Sequence, residues 1–214
     1  MGTAGNRPGR KVQAQTTKQR ILKVALDTFS EHAYDEVAVG DIAARAGVAH
    51  GLLFHYFKNK RGMYLAAMEE ASRELDEALA VDPRLSPGAQ LRQLYNNQFQ
   101  YLTRHRGLAM RLVLGGKGAD PEAWRFFEEN RWRAIEWGMI VLGLDPESPS
   151  LRIMMRSATA AVDEAAAYWH MHGQPFDLAV ITEVFLERTI SALQGAARLD
   201  PSLDVDNAID RLRQ

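Results

Sequence analysis

Apolar side chains recur at intervals of three and four residues along most of the chain, the spacing that places them on one face of an α-helix. The first such stripe consists of Ile21, Leu22, Ala25, Leu26 and Phe29. It predicts a helix from Thr16 to about Glu31, begun by a capping box between Thr16 and Gln19. No segment alternates apolar and polar residues over a useful length, so the pattern predicts an all-α fold.

Two short helical segments follow, over residues 41–46 and 49–57, with the dipeptide Gly47-Val48 between them. A sharp turn between two helices needs a residue that tolerates positive φ, and glycine does so without a steric penalty. The spacing therefore predicts a helix-turn-helix motif over about residues 39–58, in which the second helix enters the major groove of DNA. Any other pair of helices joined by a tight turn would show the same spacing.

The remaining helices are delimited by capping residues, prolines and glycines. Asn59 is expected to cap a long helix that runs toward Ala80, and a Ser-Pro or Asp-Pro pair at positions 86, 120 and 148 precedes each of three later helices. Gly143 and Gly173 are expected at helix ends. The predicted helices span residues 87–105, 107–114, 121–142, 149–172 and 177–198, with a short one near 205–212.

The composition is that of an ordinary soluble protein. The 214 residues are 46% hydrophobic and 25% charged, which suffices for a core and excludes disordered and fibrous classes. The absence of cysteine excludes disulfides, thiolate metal sites and thiol nucleophiles. No apolar run approaches the roughly 18 to 20 residues that cross a bilayer, and the N-terminus lacks an apolar export signal. We therefore expect a cytoplasmic protein that has no membrane partner.

Basic and acidic residues are unevenly distributed along the chain. The formal net charge is −1, yet residues 1–23 contain six basic residues and no acidic one. Residues 1–60 contain nine basic and five acidic residues, a net charge of +4, and the remainder contains 17 basic and 22 acidic residues, a net charge of −5. This asymmetry is typical of a protein that contacts phosphate with one end. A solubilising basic tail would give the same counts.

Three segments of the N-terminal part occur in a characteristic order. They read TKQRIL at 17–22, DIAARAGV at 41–48 and GLLFHYFKNK at 51–60. In this order and at these separations they resemble the DNA-binding domain of the TetR family of transcriptional regulators, over about residues 16–70. The resemblance implies a homodimer that binds a palindromic operator in double-stranded DNA, usually as a repressor. It also implies that a small-molecule effector in the C-terminal domain releases the operator.

On this resemblance the chain divides into a flexible basic arm (1–15), an N-terminal three-helix helix-turn-helix DNA-binding domain (16–62) and a C-terminal helical ligand-binding and dimerisation domain (63–214). The residues expected to contact DNA are Arg7, Arg10, Lys11, His50, Gly51, Leu52, His55, Tyr56, Lys58 and Lys60.

The sequence departs from the family pattern mainly by losing hydroxyl groups. Ala38 and Ala49 stand where Ser or Thr commonly begins a helix, and Phe54 stands where Tyr is usual. Each lost cap is expected to cost about 0.5 to 2 kcal/mol of local stability.

Polar side chains within the apolar stripes of the C-terminal domain are candidate effector contacts. Gln98 interrupts the stripe of helix 87–105, and an amide that faces an apolar interior needs a partner from the protein, from water or from a ligand. The aromatic residues of helix 121–142 cannot all share one face, so this helix is expected to pack on more than one side. The candidate ligand-binding residues are Gln98, Phe99, Met110, Arg111, Trp124, Phe127, Arg131 and Met155.

The last two long helices carry small and apolar residues along one side. In the family such helices usually pair with their symmetry mates in a four-helix bundle, whereas packing within one chain would leave the same pattern. The residues expected in the dimer interface are Ala158, Ala161, Val162, Ala165, Trp169, Phe185, Leu186, Thr189, Ile190 and Leu193.

The sequence offers little to enzymatic or metal chemistry. It contains no nucleophile elbow, phosphate loop or zinc-protease motif, so we expect neither an enzyme nor a cofactor. His170 and His172 lie one residue apart without an evident third ligand, so no metal site is expected. Asp163 and Glu164 are adjacent and point in different directions on a helix. A helical enzyme and a protein-interaction module without DNA binding are the alternatives.

Overall fold

The computed structural model describes residues 10–104 and 120–214, which form nine α-helices and one 3-10 turn and include no β-strand. The prediction of an all-α fold is confirmed. The chain forms two compact units, of which the first ends at Ala71 and the second is Ser72–Gln214. None of the helices in these ranges combines the length and the apolar character needed to cross a bilayer.

Four helices begin the chain, and the last of them continues from the first unit into the second. They are α1 (Arg10–Glu31), α2 (Val39–Ala46), α3 (His50–Phe57) and α4 (Lys60–Ala78). A 3-10 turn at Tyr34–Glu36, which the sequence pattern does not predict, lies between α1 and α2. The core of the first unit is formed by the buried side chains of Ile21, Ala25, Phe29, Ile42, Leu53, Phe57 and Met63.

Helix α1 begins at Arg10, well before the predicted start at Thr16. The Thr16 hydroxyl donates a hydrogen bond of 2.9 Å to the Val12 carbonyl, one turn back, as threonine does inside a helix. The predicted capping box is therefore wrong. Residues 10–15, expected in a flexible arm, form the first turns of α1.

The tight turn between α2 and α3 is confirmed. Gly47 has φ +62° and ψ +42°, and its amide donates to the Ala44 carbonyl at 3.1 Å. The Val48 amide reaches back to the Ala43 carbonyl at 3.1 Å, which satisfies the free carbonyls at the end of α2. The Asn59 cap is also confirmed, because its side-chain oxygen accepts a 2.7 Å hydrogen bond from the Gly62 amide at the start of α4.

Five further helices build the second unit, with bounds within two residues of those predicted. They are α5 (Pro87–Arg104), α6 (Pro121–Leu142), α7 (Pro149–Met171), α8 (Leu178–Leu199) and α9 (Asp206–Arg213). The Asp120 carboxylate caps α6 by accepting from the Glu122 amide at 3.0 Å. The predicted cap at Ser148 is wrong, since its hydroxyl pairs with that of Ser150 at 3.1 Å. The helix predicted over 107–114 lies outside the described residues.

The second unit contains two apolar clusters. One contains residues from each of the helices α5, α6, α7, α8 and α9, and it includes the buried side chains of Leu142, Leu151, Leu193 and Leu212. A Cβ added to Gly88 would lie 2.2 Å from the Leu212 carbonyl oxygen, so the approach of α9 to the start of α5 requires glycine there. The other cluster surrounds Phe99, Trp169 and Phe185 and joins α5, α7 and α8.

Candidate nucleic-acid interface and effector cavity

Helix α3 buries one face and exposes the other. Leu53 and Phe57 are buried against the first unit, whereas the opposite side presents His50, Gly51, Phe54, His55 and, just past the helix end, Lys58. The rings of His50 and Phe54 meet edge to face, with centroids 5.1 Å apart. A short helix that follows a tight turn and exposes basic, aromatic and backbone surface can enter a major groove.

Lys58 adopts a strained backbone conformation at the junction of α3 and α4. Its φ is +67° and its ψ is −48°. The amide of Asn59 donates to the carbonyl of Phe57 at 2.8 Å, which closes a γ-turn of the rare kind around Lys58. Strain of this sort costs on the order of 1–3 kcal/mol and concentrates at functional sites.

Two of the predicted DNA-binding side chains have partners within the protein. The Tyr56 hydroxyl donates to the Ala14 carbonyl of α1 at 3.2 Å. The Lys60 ammonium lies 4.7 Å from the centroid of the Tyr34 ring and 3.4 Å from the Asp35 carbonyl, which ties it to the 3-10 turn. Leu52 is half-buried. Arg10 and Lys11 begin α1, and Arg7 lies outside the described residues.

Sequence reasoning did not include Phe54 among the DNA contacts, although it is the most exposed aromatic residue of α3, at 42%. The available signal was its position. Phe54 lies four residues after His50 and three after Gly51, so all three share one face of the helix.

A cavity of about 120 Å³ lies in the second unit between the end of α4 and helices α5, α6 and α7. Its wall is mainly apolar and includes Leu75, Leu79, Leu91, Leu94, Leu102, Trp124, Phe127, Ile135, Met155 and Val162. Polar lining residues include Gln98, Asn130, Arg131, Thr159 and Asp163. Five candidate ligand residues lie on this wall: Gln98, Trp124, Phe127, Arg131 and Met155.

The candidate Phe99 does not line the cavity. Its ring is fully buried in the cluster with Trp169 and Phe185, at centroid distances of 5.5 and 5.7 Å. It follows Gln98 directly, and neighbouring residues on a helix point about 100° apart. Met110 and Arg111 lie outside the described residues.

A network of charged and polar groups forms the polar part of the wall. The Asp163 carboxylate accepts from Arg131 Nε at 2.9 Å and Nη2 at 2.8 Å, and from Gln98 Nε2 at 2.8 Å. Arg131 also pairs with Glu128, which binds Arg156 Nη2 at 3.0 Å. The partner that Gln98 needs is therefore the side chain of Asp163.

Burial raises the pKa of the Asp163 carboxyl above its ordinary value, although the charge and hydrogen bonds of Arg131 oppose the rise. Asp163 was missed as a cavity residue. Its position was a usable signal, because it lies four residues after Thr159 and eight after the candidate Met155, on the side of α7 that faces the cavity. The expected divergence of Asp163 and Glu164 is confirmed, since Glu164 is exposed.

The residues predicted for the dimer interface lie mostly on the inward faces of α7 and α8. Six of the ten candidates are buried within the protomer and have almost no surface to offer a partner: Val162, Trp169, Phe185, Leu186, Thr189 and Leu193. The Thr189 hydroxyl, for example, is hydrogen-bonded to the Tyr95 hydroxyl of α5 at 2.6 Å. Ala158, Ala165 and Ile190 are half-buried and pack against the two clusters, and Ala161 is half-buried. The pattern identified the inward faces of these helices.

The outward faces of α7 and α8 carry a different apolar set. Ile153, Tyr168 and Met171 of α7 and Val180 and Val184 of α8 are exposed, as is Phe176 in the loop between the two helices. His170 is buried beside the Phe99 carbonyl and the Thr103 hydroxyl, at 3.3 Å each, whereas His172 is exposed and stacks on Tyr168 at 3.8 Å. Among the described residues, no group of three potential ligands could hold a metal ion.

An exposed short helix after a left-handed glycine turn has the arrangement of a helix-turn-helix motif, the class of fold that places a helix in the major groove of DNA. Residues 21–67 match the family model "Bacterial regulatory proteins, tetR family". Regulator BetI of Stenotrophomonas maltophilia (strain R551-3) is 33% identical over 152 residues, which cover 68% of this chain and 77% of that protein. The chain belongs to the TetR family of transcriptional regulators and is not an enzyme.

The similarity extends beyond the helix-turn-helix. The fatty acid metabolism regulator protein of Bacillus subtilis (strain 168) is 24% identical over 191 residues, 86% of this chain and 98% of that protein. A tetR-family regulator from Streptomyces coelicolor superposes with a TM-score of 0.79 at 23% identity, over 93% of this chain and 89% of that one. The structure of FadR from Bacillus subtilis in complex with stearoyl-CoA superposes with a TM-score of 0.65 at 22% identity, over 81% of this chain and 98% of that one. These structures share the fold.

Proposed function

We propose that this protein is an effector-controlled repressor that binds a palindromic operator as a homodimer. The observation that carries the proposal is the exposed face of α3, which presents His50, Gly51, Phe54 and Lys58 immediately after the turn at Gly47. The basic N-terminal part, with a net charge of +4 over residues 1–60, supports binding to phosphate.

The exposed residues of α3 would divide between reading bases and holding phosphates. A Cβ built at Gly51 would have no atom within 4 Å, so the bare backbone there leaves room for close approach to a base edge. Phe54 and Leu52 offer apolar surface to a thymine methyl group, and His50 and His55 offer hydrogen bonds to base edges or phosphates. Lys58 and the basic residues Arg7, Arg10 and Lys11 would contact phosphates, which position the protein without reading sequence.

Tyr56 and Lys60 have a different part in this proposal. Their contacts with Ala14, Tyr34 and Asp35 brace α3 and α4 against the surrounding helices. A phosphate would receive any remaining hydrogen bond from the Lys60 ammonium, which has three N–H groups. We infer that both residues position the recognition helix first and contact DNA second.

Residues 16–62 would serve DNA binding and residues 63–214 effector binding and dimerisation. The cavity lined by α4, α5, α6 and α7 supports effector binding, because its wall is mainly apolar and holds a few polar groups. A similar protein is named for fatty acid metabolism, and a structural neighbour holds stearoyl-CoA. Both favour an effector that has a hydrocarbon part.

The exposed apolar faces of α7 and α8 support dimerisation. Tyr168, Met171, Val180 and Val184 would meet the same residues of a second copy in a four-helix arrangement. Exposed apolar patches are typical of protein–protein contacts. Two recognition helices could then reach half-sites about one DNA turn, roughly 34–36 Å, apart.

The DNA proposal is tested with labelled fragments of the DNA upstream of the protein's own gene, titrated at several salt concentrations. Lys58→Gln should weaken binding and lower the log–log salt slope by about 0.9 for each phosphate that the variant no longer binds. Arg198→Gln, which removes an equal charge from the second unit, should leave the slope unchanged. A protein that binds no fragment more tightly than random DNA would overturn the proposal.

The dimer proposal is tested by sedimentation of the full chain at micromolar concentration. The wild type should sediment as a dimer, and Val184→Glu should be monomeric because a carboxylate would be buried without a partner. Leu85→Glu changes an exposed residue between α4 and α5 and serves as the control. A monomeric wild type would contradict the two-site operator model.

A further inference from the structure

The cavity wall places its two described charged residues in direct contact with each other. Arg131 and Asp163 line the cavity, and each has only 12% of its side chain exposed. Behind them, Glu128 bridges Arg131 and Arg156. The network therefore contains two cations and two anions, and every charge in it faces an opposite charge.

A charge-balanced wall has a consequence for what it can hold. An ionised ligand would bring one charge more than the network can pair, and burying an unpaired charge is costly. The aromatic face most suited to a cation is also occupied, since the Arg131 guanidinium lies 5.3 Å from the centroid of the Trp124 ring. Neither a free carboxylate nor an ammonium group is matched by these residues.

Hydrogen-bonding capacity nevertheless remains at the pair. A carboxylate offers about four lone-pair positions, and a guanidinium has five N–H groups. Asp163 accepts from Arg131 and Gln98, and Arg131 donates to Asp163 and Glu128. The pair can therefore accept one hydrogen bond from a neutral polar group and donate another to it.

The size of the cavity limits the ligand. A buried water needs about 10–15 Å³ of such space, so a cavity of about 120 Å³ holds about eight to twelve water-sized groups. The rest of the wall is mainly apolar and rich in leucine and aromatic side chains, which favour a hydrocarbon body.

We propose that the effector is a small uncharged amphiphile of about ten non-hydrogen atoms, with a hydrocarbon body and one neutral polar group that hydrogen-bonds to Arg131 and Asp163. An amide, an ester or an alcohol fits this class. The balance of the network selects against the corresponding acid and amine in their ionised forms. This inference rests on the proposed function, in that the cavity is taken as the effector site.

Three small molecules of matched size test the charge preference: octanamide, octanoate and octylammonium, each with about ten non-hydrogen atoms. Their dissociation constants are measured at neutral pH by calorimetry with the full-length protein. Octanamide should bind at least about tenfold more tightly than either ion, because only the ions add an unpaired charge. If either ion binds as tightly as octanamide, or if none of the three binds, the proposal is overturned.

Charge-altering variants give a second, independent readout. Asp163→Asn leaves a surplus positive charge, so the affinity for octanoate should rise at least about tenfold relative to the affinity for octanamide. Arg131→Gln leaves a surplus negative charge and should favour octylammonium in the same way. Glu128→Gln removes one negative charge from the network, as Asp163→Asn does, but leaves the cavity wall intact. Glu128→Gln therefore takes the place of Asp163→Asn if the latter fails to fold.

The matched control is Arg125→Gln, which removes an exposed charge of α6 that pairs with Glu129 and does not line the cavity. Its order of preference should equal that of the wild type. An unchanged order in Asp163→Asn, Arg131→Gln and Glu128→Gln alike would overturn the proposal. Binding of operator DNA is measured separately without any of the three molecules, so a failure of the effector class is distinguishable from a failure of the proposed regulator.

Discussion

The tightest constraint on a single residue in the first unit lies at Gly62, in the first turn of α4. A Cβ built at this position would lie 2.2 Å from the Phe57 carbonyl oxygen, which already accepts the hydrogen bond that closes the γ-turn at Lys58. That carbonyl belongs to the recognition helix. The side chain at residue 62 therefore determines where α3 can end.

We predict that Gly62→Ala destabilises the protein by roughly 1–3 kcal/mol, because the new methyl group forces the backbone of the α3–α4 junction to move. Urea denaturation measures the change. The control is Gly40→Ala in α2, where nothing lies within 4 Å of the added Cβ. It should be neutral or stabilising by up to about 1 kcal/mol, since alanine is the better helix former. Equal losses in the two variants would contradict the steric explanation.

At this scale the sequence predicted some positions and missed others for identifiable reasons. Gly47 was predictable, because only a positive φ explains glycine between two short helices. Lys58 also has a positive φ, but lysine gives no such signal. The role of Gly62 was equally hidden, since it depends on a carbonyl brought close by the fold.

Among the elements, the recognition helix lacks the cap that usually starts a helix. Ala49 has extended backbone angles, φ −66° and ψ +139°, and makes no side-chain hydrogen bond to the first turn of α3. The same holds for Ala38 before α2. Both absences agree with the missing hydroxyls in the sequence, and they leave the first amides of α3 without a side-chain partner from the cap residue.

We predict that Ala49→Ser stabilises the protein by about 1 kcal/mol, because a serine hydroxyl would accept a hydrogen bond from an amide of the first turn of α3. Thermal and urea unfolding provide the measurement. The control Ala44→Ser changes an exposed residue inside α2 and should be neutral or slightly destabilising. A gain in the control equal to that of Ala49→Ser would count against the capping mechanism.

Helix α5 carries the half-buried Tyr95 and the buried Tyr101, and the fold opposes the ionisation of both. Burial raises the pKa of Tyr95, against the effect of its hydrogen bond with Thr189, and burial together with the charge of Glu74 raises the pKa of Tyr101. A raised pKa in the folded state favours the protonated phenol. The stabilisation of the folded state by these protonated phenols is fully present below about pH 10, the ordinary pKa of tyrosine. It is lost as the pH rises through the pKa values of the folded state.

We therefore predict that stability falls above about pH 10 and that two tyrosines ionise only as the protein unfolds. Absorbance at 295 nm and circular dichroism, followed together, measure both events. In the double variant Tyr95→Phe/Tyr101→Phe, stability should fall less steeply as the pH rises above about 10. Tyr34→Phe, at a half-buried position of the 3-10 turn in the first unit, is the control and should leave the pH dependence of stability unchanged. Full ionisation of the wild type while it is still folded would refute the prediction.

Element bounds were largely predictable, whereas element faces were not. Proline and glycine fixed α5 to α8 within two residues, because these residues act locally on the backbone. Six of the ten residues predicted for the dimer interface are buried in the protomer, because both sides of α7 and α8 carry apolar residues and periodicity does not say which side faces the core. The start of α1 was missed because polar residues 10–15 extend the helix without an apolar stripe.

For the whole molecule, the uneven charge matters more than the net charge of −1. The basic residues before residue 24 include Arg7, Arg10 and Lys11, and none of the first 23 residues is acidic. Residues 10 and 11 belong to α1, which begins at Arg10.

We predict that the triple change of Arg7, Arg10 and Lys11 to Gln weakens operator binding and lowers the salt slope by about 0.9 for each phosphate that is no longer bound. Glutamine keeps the helical propensity of α1, so the Tyr56–Ala14 contact should persist. The control changes Arg84, Arg198 and Arg213 to Gln in the second unit, with the same loss of charge. Equal slopes for the two triple variants would exclude the N-terminal residues from DNA contact.

The contact between Trp124 and Arg131 also makes the cavity observable by optical spectroscopy. The indole lines the cavity, and the guanidinium charge lies 5.3 Å from its ring centroid. Indole emission depends on nearby charge and on exposure to water, so a molecule that enters the cavity changes both influences on this fluorophore. The chain has four tryptophans, and replacing the other three with phenylalanine would leave Trp124 as a single intrinsic reporter of cavity occupancy.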